Sequence, residues 1–439
     1  MPEKHTIFAE NFSTDPYWWD EASPLDKQDP IPASTDVLVI GGGYTGLSAA
    51  LELARGKVDV SVLEADRFGF AASSRNGGMI SSGINVGKGA DTIAVHGQQR
   101  VSAMLGEAND AYAHLHHVVQ REGIRCHISE PGRFVPAHCP RAYENLAARV
   151  DMLNKLTGAE AWMLPRAEQH SELATDYYYG GLVSARSGGV QPALLVRGLA
   201  LAAAHAGALL HAHCPAGRIE RISGGFLVET PQGSIKAREV FLATNGYTGP
   251  NTQWHRRRIF PVRSHIIATE DLGMARIGEL FPNFRMISDT KRMLYYFRPS
   301  PDGRRILFGG RGSYRDVEPE VAAPALHQAL TDIFPELESV RLTHAWCGNV
   351  GLTFDRLPHI GNETGLRYAL GCNGSGVVMM NWLGTQVARE ILGALDRPSA
   401  YAGISMPTRP FYTGNPWMLP AIGMWYVARD RFDRWQAGH

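Results

Sequence analysis

Cysteine is scarce and scattered in this 439-residue sequence: Cys126, Cys139, Cys214, Cys347 and Cys372 are odd in number and never spaced as CxxC. That excludes a thiolate zinc site and a disulfide framework, suits a reducing cytosol, and makes a cytoplasmic protein the expectation. Excess charge is missing too. With 43 basic and 43 acidic side chains the formal net charge is zero, so no nucleic-acid partner is expected, because phosphate-backbone affinity needs clustered positive charge. Lysine is nearly absent, 7 against 36 arginines, which reads as composition bias. No apolar run is long and clean enough for a membrane span. Tyr368 to Ala388 is uncharged, but Gly, Asn, Ser, Thr and Gln interrupt it throughout, so it reads as a buried segment. The opening residues, MPEKHTIFAENF, contain no apolar core, and no signal peptide is expected. No internal repeat or low-complexity segment stands out.

What is present is a globular composition, 44% hydrophobic and 20% charged, with 47 glycines, about 11% against the usual ~7%. The length allows roughly two to three domains. Residues 1 to 35 are polar, with an aromatic knot Tyr17-Trp18-Trp19, and read as an arm packed on the surface. DVLVI (Asp36 to Ile40) suits a buried parallel strand, LSAALELAR (Leu47 to Arg55) an amphipathic helix, and VDVSVLE (Val58 to Glu64) a second strand. Residues 91 to 175 have helical spacing, including MLPRAEQHSEL. PALLVRGLALAAAHAGALL (Pro192 to Leu210) reads as one helix with proline in its first turn. RIERI, FLVET and SIKAREVFLATNG suggest a hairpin feeding a buried strand. IFPVRSHIIATE, MLYYFRP and RILFGGRG look like strands, PALHQALTDIFPEL like a helix, and YALGCNGSGVVMMNWLGTQVAREILGAL like strand, loop and helix.

Gly41-Gly42-Gly43-Tyr44-Thr45-Gly46 fits GxGxxG in the right context, with a buried strand before it, a helix after it and Glu64 ending the next strand. Gly41, Gly43 and Gly46 let the backbone approach a pyrophosphate at the N-terminus formed by Tyr44 and Thr45, and Glu64 suits ribose hydroxyls while rejecting a 2′-phosphate. FAD is expected over NAD, for three reasons. The small-residue loop ADRFGFAASSRNGG (Ala65 to Gly78) can wrap a pyrophosphate and lie against a flavin ring. FLATNG and the GCNGSG loop, with Gly374, Ser375, Gly376 and Val377, offer further backbone close to it. No second GxGxxG module is present for a nicotinamide, which argues against a pyridine-nucleotide-disulfide type reductase.

Taken together, GGGYTG with Glu64, AASSRNGG, VFLATNGYTG, LFGGRGS, WCGNVGLTFDRLPHIG (Trp346 to Gly361) and GCNGSGV resemble the FAD-dependent oxidoreductases of the D-amino acid oxidase, glycine oxidase and sarcosine oxidase family, over about residues 35 to 395. RNGG, PVRSHIIATE and the tail FYTGNPWMLPAIGMWYVARDRF are most similar to the gamma-glutamylputrescine oxidase branch. The resemblance implies an α/β protein: a glutathione-reductase-type, Rossmann-like FAD-binding domain (36–115, 189–250 and 343–400) interleaved with an α+β substrate domain on a mixed, largely antiparallel sheet (116–188 and 251–342). An N-terminal arm (1–35) and a C-terminal tail (401–439) flank them. It also implies FAD contacts from Ala65, Ser73, Ser74, Arg75, Asn76, Gly77, Gly78 and Met79, and from Ala216, Ala243, Thr244, Gly348 and Asp355. Two positions depart from the family's GASGRNGG, where this chain has Ala71 and Ser74. Sarcosine oxidases hold flavin through a cysteine in the segment matching Trp346 to Asp355; Cys347 is one position out of register there, so non-covalent FAD is favoured.

The resemblance implies oxidation of a C–N bond in an amine or amino acid, with reoxidation by O2 or another electron acceptor. Candidate catalytic residues are Arg263 and His265, two apart on one strand, Tyr296 (of the alternating Tyr295, Tyr296, Arg298) and Trp346 as a wall. No metal is expected. His114, His116 and His117 read as a solvated helix face, His211 and His213 could share one face of a strand, and Arg256-Arg257-Arg258 reads as a solvated loop or a guide for an anionic substrate. No GxSxG elbow supports hydrolysis. The C-terminal PWMLPAIGMWYVARDRFDRW is either a membrane-surface helix or a segment packing across a domain or dimer seam, and oligomeric state is open. A dehydrogenase passing electrons to a quinone or carrier, and a non-catalytic FAD-binding assembly protein, are the competing readings.

Overall fold

A computed structural model describes residues 7–83, 92–312 and 316–436; Ser313 of the LFGGRGS motif and the first six residues of the arm lie outside them. Two sheets organise the chain. The first places Ser34–Ile40 parallel to Val60–Leu63 on one side and to Gly233–Leu242 on the other, with Leu209–His211 and Leu366–Leu370 joining in parallel. All four apolar residues from Val37 to Ile40 are buried, as both faces of a parallel sheet must be. Tyr44–Arg55 covers this sheet through Leu47, Ala50, Leu51 and Ala54. It crosses Gly376–Ile391 so closely that a Cβ at Gly384 would lie 2.1 Å from the Thr45 carbonyl oxygen; Ser48 and Asn381 hydrogen-bond at the crossing.

Among the described residues the second sheet has nine strands: Phe8–Ser13, Leu342–Thr353, Ile259–Thr269, Ile306–Gly310, Tyr296–Pro299, Met286–Ser288, Arg133–Pro136, Gly181–Ser184 and Ala161–Leu164, in spatial order. Its longest ladder is antiparallel and runs from Ile259 opposite Thr353 to Thr269 opposite Leu342. Because side chains alternate across a sheet, the register divides it cleanly. Phe134, Ile267, Ile287, Phe297, Phe308 and Ala345 point to one face, buried beneath Leu326, Leu330 and Ile333 of Pro319–Ile333. Each fully buried phenylalanine there contributes about 1.5–3 kcal/mol, an upper figure set by the extended-chain reference. Ile266, Leu307 and Trp346 point to the opposite face, toward the first sheet.

Several expectations are corrected. The arm is not a surface attachment: Phe8–Ser13 adds an edge strand beside Leu342–Thr353, and Trp18 is 1% exposed, edge-on to Trp346. MLPRAEQHSEL is strand Ala161–Leu164 followed by 3-10 helix Arg166–Ser171, since the residue before Pro165 is pushed to extended backbone. The helix from Pro192 stops at Ala206, where Gly207 at φ +110° caps it, freeing Leu209–His211 for the first sheet. His114 is buried, bonded to Thr385 and edge-on to Trp382, not solvated. His211 is buried against the Asp29 carbonyl whereas His213 is exposed beside Asp26, so the two share no site. Arg258 stacks 3.7 Å over Trp254 and bonds the Met406 carbonyl.

The five cysteines are free thiols. Among the described residues no helix is long and apolar enough to cross a membrane. The tail forms helix Leu419–Gln436. Its Asp430 and Asp433 both pair with Arg292, at 2.9 and 2.6 Å. His138 completes a trio whose ligand atoms lie within 4.8 Å of one another, but Arg292 bridges both carboxylates, so the trio works as a docking contact. Trp417, Trp425 and Trp435 on the same segment are exposed.

Candidate active site

The glycine turn is built for close approach. Gly41 lies at φ +113°, and a Cβ there would come within 2.8 Å of the Ala243 carbonyl oxygen, which brings Ala243 and Thr244 against the turn. A Cβ at Gly46 would lie 2.0 Å from the Gly41 oxygen. Gly43 precedes the helix with no side-chain cap of its own, so the first-turn N–H groups of Tyr44, Thr45 and Gly46 face out of the turn. The Ser73 hydroxyl accepts the Tyr44 N–H at 3.1 Å and ties the AASSRNGG loop to the helix start. Glu64 accepts N–H groups from Gly42 at 2.7 Å and Asp66 at 3.1 Å. Burial pushes its carboxyl above the usual range, against the lowering effect of those bonds and of the Ala65 N–H. Ala216 lies close by, two residues beyond Cys214, whose N–H donates to the Glu64 carbonyl.

The loop then turns toward the second sheet. Asn76 stitches it, donating to the Ala72 and Ser73 carbonyls and accepting the Gly78 N–H at 2.8 Å. Gly78 sits at φ +66° with the Val190 oxygen 2.2 Å from where a Cβ would be. Buried Arg298 donates to the carbonyls of both Gly78 and Val190 at 3.1 Å. The Trp346 indole donates to the Arg75 carbonyl at 2.9 Å, Gly348 packs on the Arg75 side chain, and the Tyr296 ring lies 3.1 Å from a notional Cβ on Gly77. Tyr296 hydroxyl and Ser264 hydroxyl are 2.9 Å apart, and burial pushes the phenol up to about 12. At the far end Met79, Gly374 and Ser375 line one small cavity, next to Gly376 and Val377 at the head of the helix Gly376–Ile391.

The four catalytic candidates are split by the sheet. Tyr296, Ile266 and Trp346 are opposite one another in register through Gly309 and share the face that meets the RNGG loop. Arg263 and His265 lie on the other face. There Arg263 pairs with Asp316 at 2.6 Å and His265 approaches the Val317 carbonyl at 3.3 Å. Asp355 turns its carboxylate to the Leu357 N–H and His359, apart from the loop. The arm is the part that motif reading missed: Trp18 donates to the Asn76 carbonyl at 2.9 Å, Trp19 to the Ser74 hydroxyl at 2.8 Å, and the Arg75 guanidinium lies 4.5 Å over the Trp19 ring. Two adjacent tryptophans in a polar segment were the available signal, since such rings rarely stay in water.

The sequence matches the FAD dependent oxidoreductase (DAO) family over residues 36–390. The chain belongs to this family. This FAD-dependent oxidoreductase is 32% identical to the probable oxidoreductase OrdL of Rhizobium meliloti strain 1021 over 95% of its own length and 98% of that protein's. It is 30% identical to the gamma-glutamylputrescine oxidoreductase of Escherichia coli K12, over 90% and 93% of the two chains. Glycine oxidase from Geobacillus kaustophilus has the same fold, with a TM-score of 0.70 at 22% identity over 86% of this chain and 100% of that one. The expected family, its α/β architecture and its FAD are thus borne out. The residues present fit that cofactor: a helix N-terminus behind a glycine turn, where only the Tyr44 N–H is taken by a side chain, that of Ser73, a buried carboxyl at the end of the next strand, and a loop in which a Cβ at Gly78 would have no room.

Proposed function

We propose that this FAD-dependent oxidoreductase oxidises the C–N bond of an amine or amino acid to an imine, which water hydrolyses to a carbonyl compound and the released amine, and that O2 takes the electrons to give H2O2. FAD, when bound, supplies the two-electron sink for hydride leaving the carbon. One observation carries the reading: the loop Ser73–Gly78 leaves the dinucleotide turn and ends under the Trp346 and Tyr296 face of the second sheet. The protein thereby joins a cofactor cradle to an aromatic wall. The names of the relatives, gamma-glutamylputrescine oxidoreductase and glycine oxidase, support an amino compound as the donor.

FAD would be held by Gly41, Gly43 and the N–H groups of Thr45 and Gly46 at the pyrophosphate, by Glu64 at the ribose, and by Arg75 to Gly78 along the ring. Trp346 and Tyr296 would exclude water and orient the donor. Tyr296, held protonated, donates a hydrogen bond and is no general base; a neutral amine needs none to lose hydride. The Cys347 side chain stands opposite His265, on the face of the strand away from Trp346 and Gly348, which supports non-covalent FAD.

An anaerobic titration tests the reading. Members of an amine and amino-acid panel should bleach the flavin band, and air should restore it with stoichiometric peroxide. If no donor bleaches the band, the enzyme reading falls. Bleaching with brisk dye reduction and no peroxide would replace the oxidase with a dehydrogenase that uses a quinone or carrier. Flavin released by acid precipitation would establish non-covalent binding.

A further inference from the structure

The tail helix Leu419–Gln436 turns its acids to the protein and its aromatics to solvent. Asp430 is buried, and Asp430 and Asp433 both pair with Arg292. Asp430 also accepts the N–H groups of Arg292 and Met293 at 3.2 and 3.0 Å. On the other side Ala421, Met424, Trp425, Ala428, Phe432 and Trp435 are all exposed. They follow the spacing i, i+3, i+4, i+7, i+11, i+14, one continuous face of a helix. Trp425 and Trp435 are 59% and 70% exposed, and Trp417, just before the helix, is 66% exposed. At 1.5 Å per residue the helix is about 27 Å long. An exposed apolar stripe of that extent marks a surface that another apolar phase covers.

The charges beside the stripe select the phase. Arg431 is exposed, and among the described residues no carboxylate pairs with it. At about 100° per residue Arg429 and Arg431 fall on opposite edges of the stripe, close to its middle; the Arg429 guanidinium lies 5.9 Å from the centre of the Phe432 ring. No acid of this helix faces out beside them, because Arg292 holds both on the inner side. A second copy packed on the stripe about a two-fold axis would bring these arginines together with nothing to answer them, and like charges so placed cost affinity. Anionic headgroups do answer them, and tryptophan favours the level at which those headgroups lie. The helix is not apolar enough to cross a bilayer; its arrangement is that of a helix lying in the surface of one.

We propose that Leu419–Gln436, together with Trp417, seats this enzyme on the surface of a bilayer that carries anionic lipid, with the aromatics entering the headgroup layer and Arg429 and Arg431 meeting the headgroup anions. The helix is moored through Arg292 to the loop between strands Met286–Ser288 and Tyr296–Pro299, so the lipid-facing helix is anchored to the segment that leads into the aromatic wall. The proposal is independent of the C–N oxidation reading.

Flotation of the full-length, FAD-loaded protein with vesicles tests it, using phosphatidylcholine alone and phosphatidylcholine mixed with phosphatidylglycerol. The anionic vesicles should capture the protein at lipid concentrations at least tenfold below those the neutral vesicles need, and capture should weaken as salt rises. Trp425→Ser combined with Trp435→Ser should raise the requirement for anionic lipid at least tenfold. Arg431→Gln should raise it about fivefold and leave the neutral vesicles unmoved. All three side chains are exposed, so melting temperature and FAD content should keep their wild-type values; if the double variant fails to fold, Trp435→Ser alone carries the test, with weaker capture expected. No capture by either vesicle overturns the proposal, as does capture that the tryptophan variants leave unchanged. So does equal capture by neutral and anionic vesicles that Arg431→Gln does not alter. Sedimentation velocity without lipid reads the other occupant: a dimer that the double variant dissociates, with no vesicle capture, assigns the stripe to a second copy and overturns the proposal too. Vesicle capture with no bleaching of the flavin by any amine sinks the C–N oxidation reading and leaves this inference standing.

Discussion

Trp19 and Ser74 are joined across 55 positions by an indole-to-hydroxyl hydrogen bond of 2.8 Å, and the neighbouring Trp18 reaches the Asn76 carbonyl in the same way. The arm outside the family-matched residues 36–390 thus grips the loop that follows the dinucleotide strand. Trp19→Phe keeps most of the ring and loses the donor. It should cost the apoprotein ~1 kcal/mol in denaturant melts, the worth of one hydrogen bond within the protein, and weaken FAD binding by about fivefold or less through the loosened loop. Trp18→Ala should do more, costing about 3–5 kcal/mol through the cavity it leaves. FAD titration by fluorescence and urea melts read both; an unchanged FAD affinity in Trp19→Phe would remove the arm from cofactor binding.

Gly78 and Gly374 make a matched pair. Both have positive φ, +66° and +87°, but a Cβ on Gly78 would meet the Val190 oxygen at 2.2 Å, whereas Gly374 has nothing within 4 Å. Gly374→Ala should cost only the left-handed strain, about 1–2 kcal/mol. Gly78→Ala adds a backbone clash that nothing can relieve without moving the loop, so it should purify largely without FAD. Equal flavin content in the two variants would count against the cradle.

These examples show why parts of the site were legible and parts were not. GGGYTG and Glu64 are local: strand, turn, helix and carboxyl follow one another within about 30 residues, as a βαβ unit requires, and the fold reproduces each step. The two-residue spacing of Arg263 and His265 was read correctly as one face, but sequence carries no mark of which face looks at the cofactor. That depends on the partner strand Leu342–Thr353 and on Pro319–Ile333, which covers the side they occupy. Trp18 and Trp19 lie in a segment with no motif, and only tertiary contact gives them a role.

Glu64 couples cofactor binding to stability through its charge. Its folded pKa is raised above the ordinary 4.5, chiefly by burial. Between 4.5 and the raised value the folded state holds the proton that the unfolded state has lost, so stability falls as pH rises through that window and stays lower at neutral pH. Glu64→Gln removes this cost. The variant apoprotein should therefore be more stable than wild type at pH 7 and lose that advantage below pH 4.5, while its affinity for FAD drops about tenfold because one neutral acceptor oxygen replaces the two of the carboxylate at the ribose. Denaturant melts of the two apoproteins across pH, beside FAD titrations, check both signs; a variant less stable than wild type at pH 7 contradicts the argument.

Tyr296 separates positioning from proton transfer. Its phenol is held near 12 by burial, with the Ser264 hydrogen bond opposing the shift, so it keeps its proton across the working range and cannot serve as a base there. Tyr296→Phe preserves the ring against Gly77 and removes only the hydroxyl, leaving Ser264 its contact to the Gly310 carbonyl. The expected result is a fall of about tenfold or less in kcat for flavin reduction, with the shape of the pH profile from 6 to 10 unchanged. Stability supplies an independent readout. Since the folded pKa lies above the ordinary 10.0, wild type should lose stability as pH rises from 10 toward 12, where only the unfolded chain gives up this proton, and Tyr296→Phe should lack that part of the slope. If Tyr296→Phe abolishes a kinetic pKa below 9, the tyrosine is the base after all and the assignment of a purely orienting wall is wrong.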